Sequence, residues 1–158
     1  MTGFENLNIT TLISSSDILS GSPDFVFGGQ PDGMGIMKDP NSDGYLMITN
    51  HEIKQSVSRV YLDKTFKPVK GEYILNAAAT ASTAMCSGTL ITPQEHGFGP
   101  LYLSGGEWGG SSKNVFATDP FRNAEDAELG TVLPALGQWD TENAVPLGKD
   151  AYSDKTVI

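Results

Sequence analysis

Ile36-Met37-Lys38-Asp39-Pro40-Asn41-Ser42-Asp43-Gly44-Tyr45-Leu46-Met47-Ile48-Thr49-Asn50 carries the clearest fold signal in the chain. Asp39 to Gly44 has turn chemistry, and its Asp43-Gly44 pair can supply the positive φ that a tight hairpin needs. Tyr45 to Asn50 is a strong strand pattern, and Ile36-Met37 is a short strand on the other side of the turn. The stretch therefore predicts a β-hairpin.

Working outward, Ser56 to Leu62 alternates serine with Val57, Arg59, Val60 and Tyr61 and predicts a further strand. Phe66 to Tyr73 is its expected partner, with Pro68 confining that piece to an edge or a bend. Upstream, Phe25-Val26-Phe27 is a short strand candidate ended by Gly28-Gly29, and Gln30 to Gly35 reads as a turn. Downstream, residues 76–86 read as a short helix or a close-packed loop. Leu90-Ile91-Thr92 is stopped by Pro93. Leu101 to Ser104, ending at Gly105-Gly106, and Val115 to Ala117 are strands. Residues 122–131 read as a solvated loop or short helix, and Val132 to Leu136 as an extended piece interrupted at Pro134. Residues 1–24 form an irregular entry segment. Lys155 to Ile158 has an apolar strand pattern, which predicts that the natural polypeptide continues. Short strands with Gly/Pro-rich turns define an all-β fold and suit a sandwich, a barrel or a propeller.

Eighteen glycines and nine prolines among 158 residues agree with many turns and short elements. Nineteen acidic against ten basic residues give a net charge of -9. That balance disfavours nucleic acid and anionic membranes and favours cations. No run of apolar residues reaches transmembrane length. Cys86 is the single cysteine, so no disulfide forms within the chain. Residues 1–16 carry no secretory signal pattern, which leaves a fragment boundary and a cytoplasmic protein as alternatives.

Candidate chemistry clusters at strand ends, where a sheet fixes the backbone that carries the ligand. In Asn50-His51-Glu52 the last two side chains point opposite ways if the backbone stays extended, and Glu52 is the metal candidate. Cys86-Ser87-Gly88-Thr89 offers a thiolate for iron or zinc, although no Cys-x-x-Cys spacing supports structural zinc. A nucleophilic Cys86 would need His51 or His96 as its base. Glu107 and Trp108 sit between glycine pairs, with Trp108 either beside a site or in the core. Asp140 and Glu142 share a face if that piece is extended, and two acids on one face call for a compensating cation or donor. Glu142 is the ligand candidate there, with Asp140 solvated.

Taken in order, Asn50-His51-Glu52, Cys86-Ser87-Gly88-Thr89 with Thr92-Pro93, Leu101-Tyr102-Leu103-Ser104-Gly105-Gly106-Glu107, and Leu136-Gly137-Gln138-Trp139 with Glu142 resemble the bacterial alkaline phosphatases that use iron and calcium. The likeness spans residues 25–158 and implies the amino-terminal part of a β-propeller, an incomplete piece of a larger domain. It implies a phosphomonoesterase, usually exported to the periplasm or beyond, acting on phosphate esters through an iron and calcium cluster. Cys86 is then an iron ligand, and Glu107, Glu142 and Glu52 are carboxylate ligands. The isolated piece is expected to be inactive without the remainder of the parent propeller. The chain has Glu107-Trp108 where the family often has Glu-Glu, and Thr141-Glu142 where it often has His-Glu. Its Thr92-Pro93 leads into a loop from Gln94 to Pro100 rather than a Trp-Gly-Thr stretch. An altered metal set, or a calcium-dependent binding or structural propeller with no enzymatic role, is the alternative.

Overall fold

The computed structural model of the protein describes residues 6–108 and 113–158. Two antiparallel sheets follow one another along the chain. The first has four strands in the order β1 (Pro31–Lys38), β2 (Tyr45–His51), β3 (Ser56–Leu62) and β4 (Pro68–Leu75). The second has three, β5 (Met85–Ile91), β6 (Leu101–Gly106) and β7 (Val115–Thr118). A single-turn helix, α1 (Pro93–His96), links β5 to β6, and short 3-10 turns cover Ala124–Asp126 and Pro134–Leu136. The described residues form no closed barrel, and none of their helices is long and apolar enough to cross a membrane.

The expected hairpin is present, with Lys38 opposite Tyr45 and Ile36 opposite Met47. Asp39 builds the turn by accepting from the Asn41 amide at 3.0 Å and from the Ser42 hydroxyl at 2.6 Å. Gly44 has a different role from the one its dipeptide suggests. The positive-φ glycines among the described residues are Gly97, Gly99 and Gly137. At Gly44 the need is space, since a Cβ there would lie 2.0 Å from the Leu62 carbonyl oxygen.

β2 is buried on both faces, which explains why Leu46-Met47-Ile48 is uninterrupted by polar residues. Leu46 and Ile48 join Val57, Ile74, Leu75, Met85, Tyr102 and Phe116 in a core between the sheets. Met47 points the other way, packing with Val60, Leu62, Phe25, Phe27 and Leu19. Full burial of one such side chain contributes about 1.5–3 kcal/mol. β4 lies at the sheet edge, where Pro68 needs no ladder donor. Arg59, itself buried, forms an ion pair with Glu72 and donates to the Pro120 carbonyl at 2.7 Å, tying the loop after β7 to the first sheet.

Three local expectations are corrected. Phe25 to Phe27 pairs with no strand and serves as a packed lid, with the Phe25 ring seated where a Cβ on Gly71 would come within 2.3 Å of it. Pro31 to Gly35, read as a turn, belongs to β1, with a register shift between Pro31 and Met34. Of the two readings of residues 76–86, the loop holds as far as residue 84, with Asn76 and Thr80 bonding backbone groups, and Met85-Cys86 opens β5. Lys155 to Ile158 is not a strand; one bond joins the Leu147 amide to the Val157 carbonyl at 2.8 Å.

The sheets touch chiefly through their first strands, β1 and β5, with a smaller share from β2. A Cβ at Gly33 would lie 1.9 Å from the Gly88 nitrogen, so the two backbones are in direct contact there. That contact places the functional site.

Candidate metal centre

Each acidic candidate reaches the β1–β5 seam on a separate element. Asp32 lies in β1 at a register shift between Pro31 and Met34. Glu52 opens the turn after β2, and its amide donates to the Gln30 carbonyl at 3.1 Å, holding that turn beside the start of β1. Cys86 lies in β5, within a second register shift between Met85 and Gly88. One ligand atom from each of Asp32, Glu52 and Cys86 falls within 4.8 Å of the others.

Glu107 follows β6 and is pinned beside β5 by two backbone bonds. Its amide donates to the Ala84 carbonyl at 3.1 Å, and the Ala84 amide donates to the Trp108 carbonyl at 2.7 Å. The Cys86 thiol consequently donates to Glu107 Oε2 at 2.9 Å. Glu142 arrives on an irregular segment, through the buried Thr141, whose amide donates to the Gly106 carbonyl at 3.2 Å. Gly105 permits this approach, because a Cβ there would lie 2.4 Å from the carbonyl oxygens of both Thr141 and Glu142. The Glu142 side chain then shares a hydrogen bond with Glu107.

The electrostatics show what the geometry has assembled. The charge of Glu107 and the bond shared with it hold the Glu142 carboxyl above its ordinary range, with burial, Asp32 and Glu52 adding to the effect. Burial pushes the Cys86 thiol up, followed by its bond to Glu107 and the charges of Glu107, Glu52 and Glu142. The ion pairs among the described residues join Arg59 and Lys70 to Glu72, and Lys113 to Asp140. None of them serves Asp32, Glu52, Glu107 or Glu142. Like charges gathered without a basic partner are the arrangement that a multivalent cation relieves.

Of the four metal candidates named from the sequence, Glu52 and Cys86 share a group with Asp32, Glu107 adjoins it through the Cys86 thiol, and Glu142 lies beside Glu107. Asp32 is the residue sequence reasoning missed. Its surroundings read as a turn, yet glycines at 33 and 35 in a strand are a signal of close backbone approach. Asp140 and Glu142 do not share a strand face, since that segment is irregular and Asp140 turns to Lys113 at 2.7 Å. Trp108 is 52% exposed and is not a core residue; Gly109 and Gly110 of the same motif lie outside the described residues.

The histidine-base reading of Cys86 has no support in this geometry. His51 lies on the far face of β2, with Nε2 2.7 Å from the Ser58 hydroxyl and its ring edge-on to Phe27 at 4.8 Å. Burial lowers its pKa to about 4. His96 accepts the Thr92 amide at 3.2 Å beside α1.

Comparison with protein-family models, with curated proteins and with solved structures returns no match for this chain.

Proposed function

We propose that this chain supplies a metal-binding cluster, with Asp32, Glu52, Cys86, Glu107 and Glu142 as ligands, to an exported phosphomonoesterase of β-propeller type. The observation that carries the reading is the grouping of Asp32, Glu52 and Cys86 across both sheets, with Glu107 bonded to Cys86, Glu142 beside Glu107, and no ion pair to any of these acids among the described residues. Consecutive antiparallel meanders that meet through their first strands are the arrangement of neighbouring propeller blades, which supports the architecture.

The donor set fits the metals implied by the family likeness. Carboxylate oxygens suit calcium and ferric iron, and the thiolate adds a soft donor for iron. When bound, those cations supply the positive field that attracts a phosphate ester and stabilises charge on its oxygens. The Cys86 thiol donates to Glu107 Oε2 at 2.9 Å, so sulfur and carboxylate would hold one cation together, with the thiol proton released to solvent. The neighbouring Glu107 charge holds the Glu142 carboxyl above its ordinary range, a penalty that a bound cation would relieve. The asymmetry of the seam assigns separate tasks. Cys86 is buried and Glu107 half-buried, while Asp32 and Glu142 are exposed, on the side open to an incoming substrate.

The test is metal analysis beside hydrolysis of a generic phosphomonoester. A preparation comprising this chain with the remainder of its parent propeller is expected to retain iron and calcium and to hydrolyse the ester, whereas the 158-residue chain alone takes up metal without turnover. A metal-free and inactive parent protein refutes the proposal. Calcium uptake with no hydrolysis by the parent would favour the non-enzymatic binding module instead.

A further inference from the structure

We propose that Asn50 is the positioning residue of this cluster, an amide on the first sheet that fixes the Cys86–Ser87 bulge of the second and so aims the thiol at the carboxylates. The orientation of Cys86 toward a metal rests on the function proposed above; the grip of Asn50 on the bulge stands on geometry alone.

The register shift between Met85 and Gly88 takes Cys86 and Ser87 out of the regular ladder with β6, so their carbonyls need donors from elsewhere. Asn50, fully buried near the end of β2, provides them. Its Nδ2 donates to the Cys86 carbonyl and, at 3.2 Å, to the Ser87 carbonyl. On the other side, Oδ1 accepts the Ser104 hydroxyl of β6 at 2.8 Å, which fixes the amide the right way round. One side chain thus links β2, β5 and β6 immediately behind the thiol. Asparagine alone fits this role among residues of its size. Aspartate would turn an acceptor toward two carbonyls, and alanine would leave both carbonyls and the serine unpaired. Tyr102 makes a parallel link, its hydroxyl donating to the Gly33 carbonyl at 2.6 Å next to Asp32.

The experiment uses the full chain, in which the single cysteine makes any thiol readout specific to Cys86. Wild type, Asn50→Ala and Ser104→Ala are alkylated with iodoacetamide in EDTA, with the urea midpoint of each measured in parallel. Asn50→Ala is expected to raise the alkylation rate by about tenfold or more beyond what its loss of global stability explains, through local opening of the bulge. Ser104→Ala moves the rate the same way by less, and it decides the question alone if Asn50→Ala fails to fold. Cobalt(II) provides the second readout. Asn50→Ala is expected to weaken the thiolate-to-cobalt charge-transfer band and to lower cobalt affinity by about 10–100-fold, as supporting contacts around metal ligands do. An alkylation rate that is unchanged, or that rises only in step with lost stability, overturns the positioning role. If wild type takes up no cobalt while the alkylation contrast persists, the metal reading falls and Asn50 keeps its assignment.

Discussion

Glu107→Gln should stabilise the metal-free chain and cripple the metal-loaded one, and this opposition of sign is the strictest test of the site. Glu107 accepts from the Cys86 thiol at 2.9 Å and shares a bond with Glu142, and no basic residue pairs with it among the described ion pairs. Glutamine has the same shape and keeps an oxygen to accept the thiol, so the change removes charge and little else. Two unit charges about 4 Å apart repel by about 1 kcal/mol in water and about 4 kcal/mol at an effective dielectric of 20. The site is half open to solvent, so the relief belongs near the lower figure, at about 1 kcal/mol. With a urea dependence of about 2 kcal/mol per molar, the midpoint in EDTA should rise by about 0.5 M. With saturating calcium or iron the order reverses, because wild type gains binding energy that the variant has lost. Urea unfolding at pH 8, with EDTA and with metal, reads both signs. A variant that is equally destabilised in the two conditions would show that Glu107 is an ordinary structural carboxylate and would end the metal argument.

Cys86→Ala should lower the iron retained by the protein while leaving calcium uptake largely intact, as metal analysis would show; unchanged iron removes Cys86 from the site. Gly105→Ala must push the 141–142 backbone away, since its new methyl would lie 2.4 Å from two carbonyl oxygens. Overpacking of that kind costs about 1–3 kcal/mol, visible as a lower unfolding midpoint, and should reduce metal affinity by displacing Glu142. Glu72→Gln tests a distant ion pair. Burial alone would raise the Glu72 carboxyl, but bonds from Tyr61 and Arg59, the Arg59 charge and Lys70 outweigh it and hold the carboxyl below its ordinary 4.5. Its stabilisation is therefore fully present above about pH 4.5 and is lost as the pH falls through the lower folded value. At pH 7 the variant should be less stable by about 2 kcal/mol, the buried-pair figure discounted for partial exposure. The gap should close in urea titrations taken toward pH 3, and a pH-independent gap would contradict the assignment.

Most of the first sheet was legible because its strands announce themselves locally, although β1 was read only at Ile36-Met37 and its first half as a turn. The 39–44 turn, the Tyr45 to Asn50 run and the position of Pro68 each fix one feature without reference to distant residues. Phe25 to Phe27 misled for a physical reason, since a short apolar run satisfies a strand and a packed lid equally and only the distant Gly71 decides between them. Glu52 and Glu107 were legible as strand-end residues, and Cys86 as the single thiol, although its surroundings read as a turn and belong to β5. Glu142 was legible only as a candidate, because it is carried to the site by Thr141 and Gly105, 36 positions apart by number, and not by any strand of its own. Asp32 was hidden for a similar reason, as its value depends on β1 lying against β5.

Glycines decide how this chain can tolerate a nest of carboxylates before any cation arrives. Gly33 beside Asp32, Gly88 beside Cys86, and Gly105 and Gly106 beside Glu107 each occupy a place where a Cβ would strike a neighbouring element within 2.6 Å. Backbones from both sheets and from the 141–142 segment consequently lock together directly beneath the charged side chains. Repulsion at the seam acts against this contact and against the core formed by Ile48, Met85, Tyr102 and Phe116 just below it. A repulsion of about 1 kcal/mol per close pair is outweighed by the eight buried side chains of that core, at about 1.5–3 kcal/mol each. The fold can therefore hold the acids together in advance, and metal binding can draw on that preorganisation instead of having to assemble the site.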